Sequence, residues 1–186
     1  MKLTDKITYH LVNQFQATGY DIVLPNFFVG RYEMDVFRRL KSGYINEYEV
    51  KISRSDFFND FKKSHHEHIG EYPYKKIKIN KHSQLKNGFG IPNKFWFVVP
   101  EGLIDVGEIP KHTGLIYFIE RYETFKIIKT APFLHRNKKE DKEYLEKLLV
   151  SLSHREMSFR FKADRLRIQY KKQKERPVRQ DSALPS

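Results

Sequence analysis

Three observations predict an α/β fold for this chain, with helices packed on a β-sheet. Ile7, Leu11, Val12 and Phe15 recur at the spacing of one helix face, so residues 4–18 read as an amphipathic helix. KFWFVVP (94–100) and GLIYFIE (114–120) are short apolar runs bounded by proline or glycine, the pattern of buried strands that pair centrally. Tyr144, Leu145, Leu148, Leu149 and Leu152 fall on one stripe, which predicts a second long helix from about residue 139 to 154.

The elements follow in order. Thr4 is placed to cap the first helix and Gly19 to end it. DIVLPNFFVG (21–30) and RYEMDVFRRL (31–40) are rich in β-branched and aromatic residues; Pro25 removes an amide donor, so the first is predicted as an edge or broken strand. YINEYEVKIS (44–53) is the next strand. SRSDFFNDFKK (53–63) opens a helix, with Ser53 or Ser55 as cap, Asp56 in the first turn, and Phe57 and Phe61 on one face. Residues 64–93, with scattered glycine and proline, read largely as loop around one weak strand, YKKIKIN. We expect a core domain over residues 1–155 and a basic extension over 156–186, the last ten or so residues being disordered.

Charge narrows the function classes. The 35 Lys and Arg against 23 Asp and Glu give +12, and nine basic residues from Arg160 onward face three acidic ones, so nucleic acid leads the candidate partners. Aromatic residues at 15% exclude a mainly disordered chain. With no cysteine there are no disulfides or thiolate metal sites, which fits a reducing cytoplasm. No run of about 18 uncharged apolar residues marks a membrane span, and the charged opening MKLTDKITYHLVNQF shows no signal peptide.

YEMDVFRRLKSGYINEYEVKIS (32–53) carries the chemistry. If Lys41, Ser42 and Gly43 form a three-residue loop with the glycine left-handed, Leu40 pairs with Tyr44. Asp35 then faces Glu49, Glu33 faces Lys51, and all four share one face, while Met34, Val36, Tyr48, Val50 and Ile52 make the opposite, apolar one. Like charges opposite one another destabilise a sheet, but two carboxylates about 5 Å apart at Cβ can share a divalent cation. Lys51 beside them can position a water or stabilise charge on a phosphate. A solvated strand face is the plainer alternative. A register slipped by two would put Glu33 opposite Glu49, and Glu47 shares that ambiguity.

Asp35, then Glu49-Val50-Lys51, in the order helix, strand, hairpin, helix, resembles the PD-(D/E)XK nuclease superfamily, with Met34 where that motif has proline. EYEVKISRSDFFNDFKK with FWFVVPEGLI and GLIYFIE resembles, more narrowly, bacterial MmcB-type DNA-repair proteins and related phage or bacterial proteins, over about residues 1–135. The resemblance implies a restriction-endonuclease-like core, a central mixed sheet flanked by helices. It also implies a DNA nuclease using Mg2+, for which Mn2+ can substitute. Asp35, Glu49 and the Val50 backbone carbonyl would be metal ligands, with Glu33 the substitute ligand and Lys51 the catalytic lysine. Many members add an acid from the first helix; Asp5 is the candidate here, although it stands near the helix start. The competing class is a non-catalytic nucleic-acid-binding or repair accessory module on the same frame; a third is a basic structural or partner-binding protein.

Candidate contacts to DNA, or alternatively RNA, are Arg54, which with the free amides of a helix start can hold a phosphate, and Lys62, Lys81 and His82. For each, a solvated surface role is the plainer alternative. His65, His66 and His68 form an HHEH motif whose adjacent histidines suit tetrahedral zinc poorly. Trp96 reads as core rather than as a base-stacking platform.

Overall fold

The computed structural model describes residues 1–29, 32–70, 75–89, 91–137 and 142–174. They divide into two units, Met1–Lys139 and Glu140–Ser186. The first is an α/β unit with a six-stranded mixed sheet flanked by helices. Its strands are β1 (Ile22–Val29), β2 (Tyr32–Arg39), β3 (Ile45–Val50), β6 (Lys94–Pro100), β7 (Gly114–Ile119) and β8 (Thr124–Lys129), in that spatial order. β4 (Ser64–Ile69) and β5 (Lys75–Asn80) form a separate two-stranded ribbon. The helices of this unit are α1 (Leu3–Gln16), α2 (Arg54–Asp60) and α3 (Lys81–Lys86).

The hairpin turns where its sequence directs. Gly43 has φ 85°, the Leu40 amide donates to the Tyr44 carbonyl at 2.8 Å, and Val36 stands opposite Tyr48 in an antiparallel ladder. β1 is an edge strand, as Pro25 requires. β3 to β6 and β6 to β7 are parallel, so β6 lies inside the sheet, and its residues Phe95 to Val99 are buried on both sides. Gly114 of β7 meets the Trp96 ring so closely that a β-carbon would overlap it.

Two apolar clusters pack on the two faces. Ile7 and Leu11 of α1 lie against Val36, Tyr48, Val50, Trp96 and Val98. On the other face Phe57 of α2 and Leu85 of α3 lie against Phe95, Phe97, Val99 and Leu115.

Several expectations are corrected. Thr4 does not cap α1: the helix begins at Leu3, Lys2 occupies the cap position, and no side chain caps it. Residues 64–69 are strand β4, and 81–86 helix α3, not loop. The side-chain oxygen of Asn80 caps α3 by accepting from the Ser83 amide at 3.0 Å. TFKIIK, which lacks a clean apolar alternation, forms β8. In the second unit, α4 (Lys142–Lys174) is 33 residues long and continues past the predicted end at His154. Neither glycine nor proline interrupts it there, and Arg160 pairs with Glu156 one turn back. The predicted disorder of the last residues falls at 175–186, outside the described residues.

Candidate active site

β3 alternates. Tyr48 and Val50 point to the α1 side, and Glu47 and Glu49 to the side covered by α2 and α3. Those helices seal the charges rather than leaving them wet: Glu47, Glu49, Lys51, Asp60, Lys81 and His82 are all buried. Isolated buried ions are very costly, so their pairing is a condition of folding.

Lys51 Nζ lies 2.9 Å from Glu49 Oε1 and 3.1 Å from Asp60 Oδ1. Lys81 Nζ lies 2.7 Å from Glu47 Oε1 and 3.0 Å from Glu49 Oε2. Lys63, just after α2, pairs with Glu49 and, at 2.6 Å, with Asp60. Glu49 is therefore held by three ammonium groups. Glu47 Oε1 and Asp60 Oδ1 are compensated by the ammonium groups of these lysines. His82 binds Asp60 Oδ2 through Nε2 at 2.8 Å, contacts His112 through Nδ1 at 3.1 Å, and stacks on Phe97.

Asp35 stands where the sheet forks. The β2–β3 pairing ends at Val36 opposite Tyr48, and one step on, the Val50 amide donates to Asp35 Oδ2 at 2.7 Å instead of to a β2 carbonyl. On its other flank Asn26 of β1 takes φ 47°, a left-handed conformation that drops it from the ladder. Asp35 and Asp5 both line a cavity of about 310 Å³, with Thr8, Tyr9 and Asn26 among its other walls.

The electrostatics follow from burial. Burial, then the charge of Glu49, pushes the Asp35 carboxyl up to about 6, although the Val50 amide opposes this. Burial pushes Glu47 up to about 7 against the pull of Lys81. Burial would lower Lys51 and Lys81, but their carboxylate neighbours, Glu49 and Asp60 for the first and Glu47 and Glu49 for the second, outweigh it and raise both. Burial would raise Asp60, yet the His82 hydrogen bond and the surrounding lysines hold it well below the usual carboxylate range. Burial and the nearby His82 lower His112 to about 4.

The structure thus brings Asp35, Glu49, Val50 and Lys51 together. Lys81 and His82, expected as DNA contacts, sit inside the buried cluster. Arg54, the first residue of α2, is exposed and paired with Glu108, and exposed Lys62 bonds Asn59. Glu33 is exposed, opposite Phe28 of β1. Glu47 enters as a full member of the cluster, and Asp60 and Lys63 are added to it. Asp60 had a legible signal, a charge three residues after Phe57 on the inward stripe of α2. Among the described residues no group of three or more His, Cys, Asp or Glu is arranged to hold a metal ion.

No protein-family model matches the chain, and no curated protein matches it. Among solved structures it is similar to a protein of unknown function from Silicibacter pomeroyi, with a TM-score of 0.53 and 16% identity. The match covers 97% of this chain and 99% of that one. At that identity the likeness speaks for the fold.

Proposed function

We propose that this protein is a metal-dependent DNA nuclease of the PD-(D/E)XK type, hydrolysing phosphodiester bonds in DNA repair, recombination or phage DNA processing. The compartment that suits it is the cytoplasm of a bacterial or phage-infected cell. No helix among the described residues is long and apolar enough to cross a membrane. One observation carries the reading: the hairpin register brings Asp35 to the sheet fork beside Glu49-Val50-Lys51.

The donor chemistry fits a hard divalent cation such as Mg2+, with Mn2+ as substitute. Asp35 is pushed up by burial and by Glu49, an excess of negative charge that a cation would relieve. Asp35, Glu49 and the Val50 carbonyl would hold it. Of the three lysines on Glu49, Lys63 is 39% exposed and can swing away, whereas Lys51 and Lys81 are enclosed. When bound, the ion supplies Lewis acidity at the phosphate and a more acidic water.

Lys51 remains protonated beside Glu49 and Asp60, so it orients water or stabilises phosphate charge and does not act as a general base. Asp60 fixes Lys51, and His82 fixes Asp60.

The test is cleavage of single-stranded, duplex and branched DNA with Mg2+ or Mn2+. Lys51→Met keeps the buried stem and should lower cleavage by roughly 100-fold or more, with Glu49→Gln acting likewise. Melting curves confirm that each variant is folded. Absence of cleavage on every substrate with either ion sinks the proposal.

A second reading has its own observation. Three ammonium groups already neutralise Glu49, which is the arrangement of a fold that keeps the frame without cleaving. Salt-sensitive DNA binding without cleavage would favour such an accessory module.

A further inference from the structure

The HHEH motif takes no part in the cluster, yet it forms one strand of the β4–β5 ribbon. His66 stands opposite Lys78 and His68 opposite Lys76, so by the two-residue period these positions share one face. Lys76, Lys78 and His66 are exposed. Ile77 and Ile79, on the alternate face, are half-buried, and there His65 accepts or donates a 2.6 Å hydrogen bond to the Tyr32 hydroxyl. One face of the ribbon is therefore seated and the other is cationic.

Its base is tied to the candidate active site. The Lys81 amide donates to the Lys63 carbonyl at 2.9 Å, and the Asn80 side chain donates to the Phe61 and Lys63 carbonyls at 2.7 and 3.2 Å. The two residues that bracket the ribbon, Lys63 and Lys81, both reach Glu49.

We propose that the β4–β5 ribbon is the duplex-DNA contact of this protein, laying its Lys76 and Lys78 face into or along the major groove and so delivering a phosphate to the Glu49–Lys51 cluster. A B-form major groove, about 12 Å wide, admits a two-stranded ribbon. Strands of six residues span about 20 Å, enough to follow the groove across several base pairs. Lys76 and Lys78, two residues apart on one face, repel one another, and phosphates remove that cost. An A-form RNA groove is too narrow for such a ribbon, and a single strand offers none. This specifies the substrate of the nuclease proposed above and rests on that reading only in taking DNA as the partner.

The experiment measures binding by fluorescence anisotropy in EDTA, where cleavage cannot contribute. Labelled duplex DNA of about two helical turns is compared with duplex RNA and single-stranded DNA of the same sequence. Lys76→Glu/Lys78→Glu should weaken duplex-DNA binding by at least about tenfold and reduce the salt slope by about two. Lys111→Glu/Lys126→Glu, an equal charge change at exposed positions elsewhere, should weaken it by less than about threefold. Lys76→Ala/Lys78→Ala repeats the measurement if the reversal lowers the melting temperature. Equal losses in ribbon and control variants overturn the proposal. So does duplex RNA or single-stranded DNA bound as tightly as duplex DNA, or no duplex binding by the wild type. Ribbon-dependent binding with no cleavage in Mg2+ or Mn2+ would sustain this inference while sinking the nuclease reading.

Discussion

Strand β3 builds both faces of the sheet, and the two are stabilised by opposite means. Toward α1, Tyr48 and Val50 pack with Ile7, Leu11 and Trp96. Toward α2 and α3, Glu47 and Glu49, with Lys51 at the strand end, are equally buried but carry charge. An apolar face is graded: each methylene lost costs its transfer free energy plus that of the cavity left. The ionic face behaves as a unit, because removing one ion leaves the others buried and uncompensated. The same alternation that gives a stable core on one side gives a site with poised charges on the other.

The largest test breaks that unit. Lys81 faces both Glu47 and Glu49, and Lys81→Ala should cost about 3–5 kcal/mol in urea unfolding, as uncompensated buried charges do. Lys81→Met combined with Glu47→Leu should recover more than half of that loss, since replacing a buried pair by apolar groups is often near neutral. A Lys81→Ala cost below about 1 kcal/mol would mean that the charged face is as graded as the apolar one.

A smaller effect reads the charge balance at the fork. Asp35 ionises at about 6 in the fold against 3.8 as an isolated side chain. Between these values the folded state binds more protons than the unfolded one. The contribution of Asp35 to stability is thus greatest below about pH 4, falls as pH rises, and levels off above about 6. Subtracting the stability of Asp35→Asn from that of the wild type isolates this contribution from Glu47 and Asp60. The difference should fall by something on the order of 2 kcal/mol from pH 4 to 7. A difference that rises with pH would show a carboxylate held by its lysine neighbours instead of one strained by Glu49.

The sequence made one part of this site legible and hid another for a physical reason. Glu49 and Lys51 are two residues apart on a strand, and Gly43 sets the turn, so their shared face and their relation to Asp35 are local consequences of period and register. The closure of the cluster is not local. Lys81 reaches Glu49, beside Lys63, only because the β4–β5 ribbon returns the chain to the end of α2, and β4, with three histidines and one isoleucine, has little of the β-branched signature of a strand. The fold class was legible from β6 and β7, whose apolar runs admit no other environment, while the length of α4 past His154 was not, since its apolar stripe gives way to charge there.

The smallest effect concerns the helix that joins the two kinds of packing. α2 is seven residues long and carries Phe57 into the apolar cluster and Asp60 into the ionic one. A helix so short has little stability of its own and depends on its cap and its docking. Ser53 accepts from the Asp56 amide at 3.2 Å, so Ser53→Ala should cost about 1 kcal/mol. Ser55, whose hydroxyl lies 3.1 Å from that of Ser53 but does not cap the helix, should tolerate Ala within about 0.5 kcal/mol. A loss above about 2 kcal/mol for Ser53→Ala would mean that the cap positions Asp60 and Lys63 around Glu49. In that case Ser53→Ala and Lys81→Ala should be non-additive, because each would disorganise the same charges, whereas an ordinary cap loss adds to the effect of Lys81→Ala.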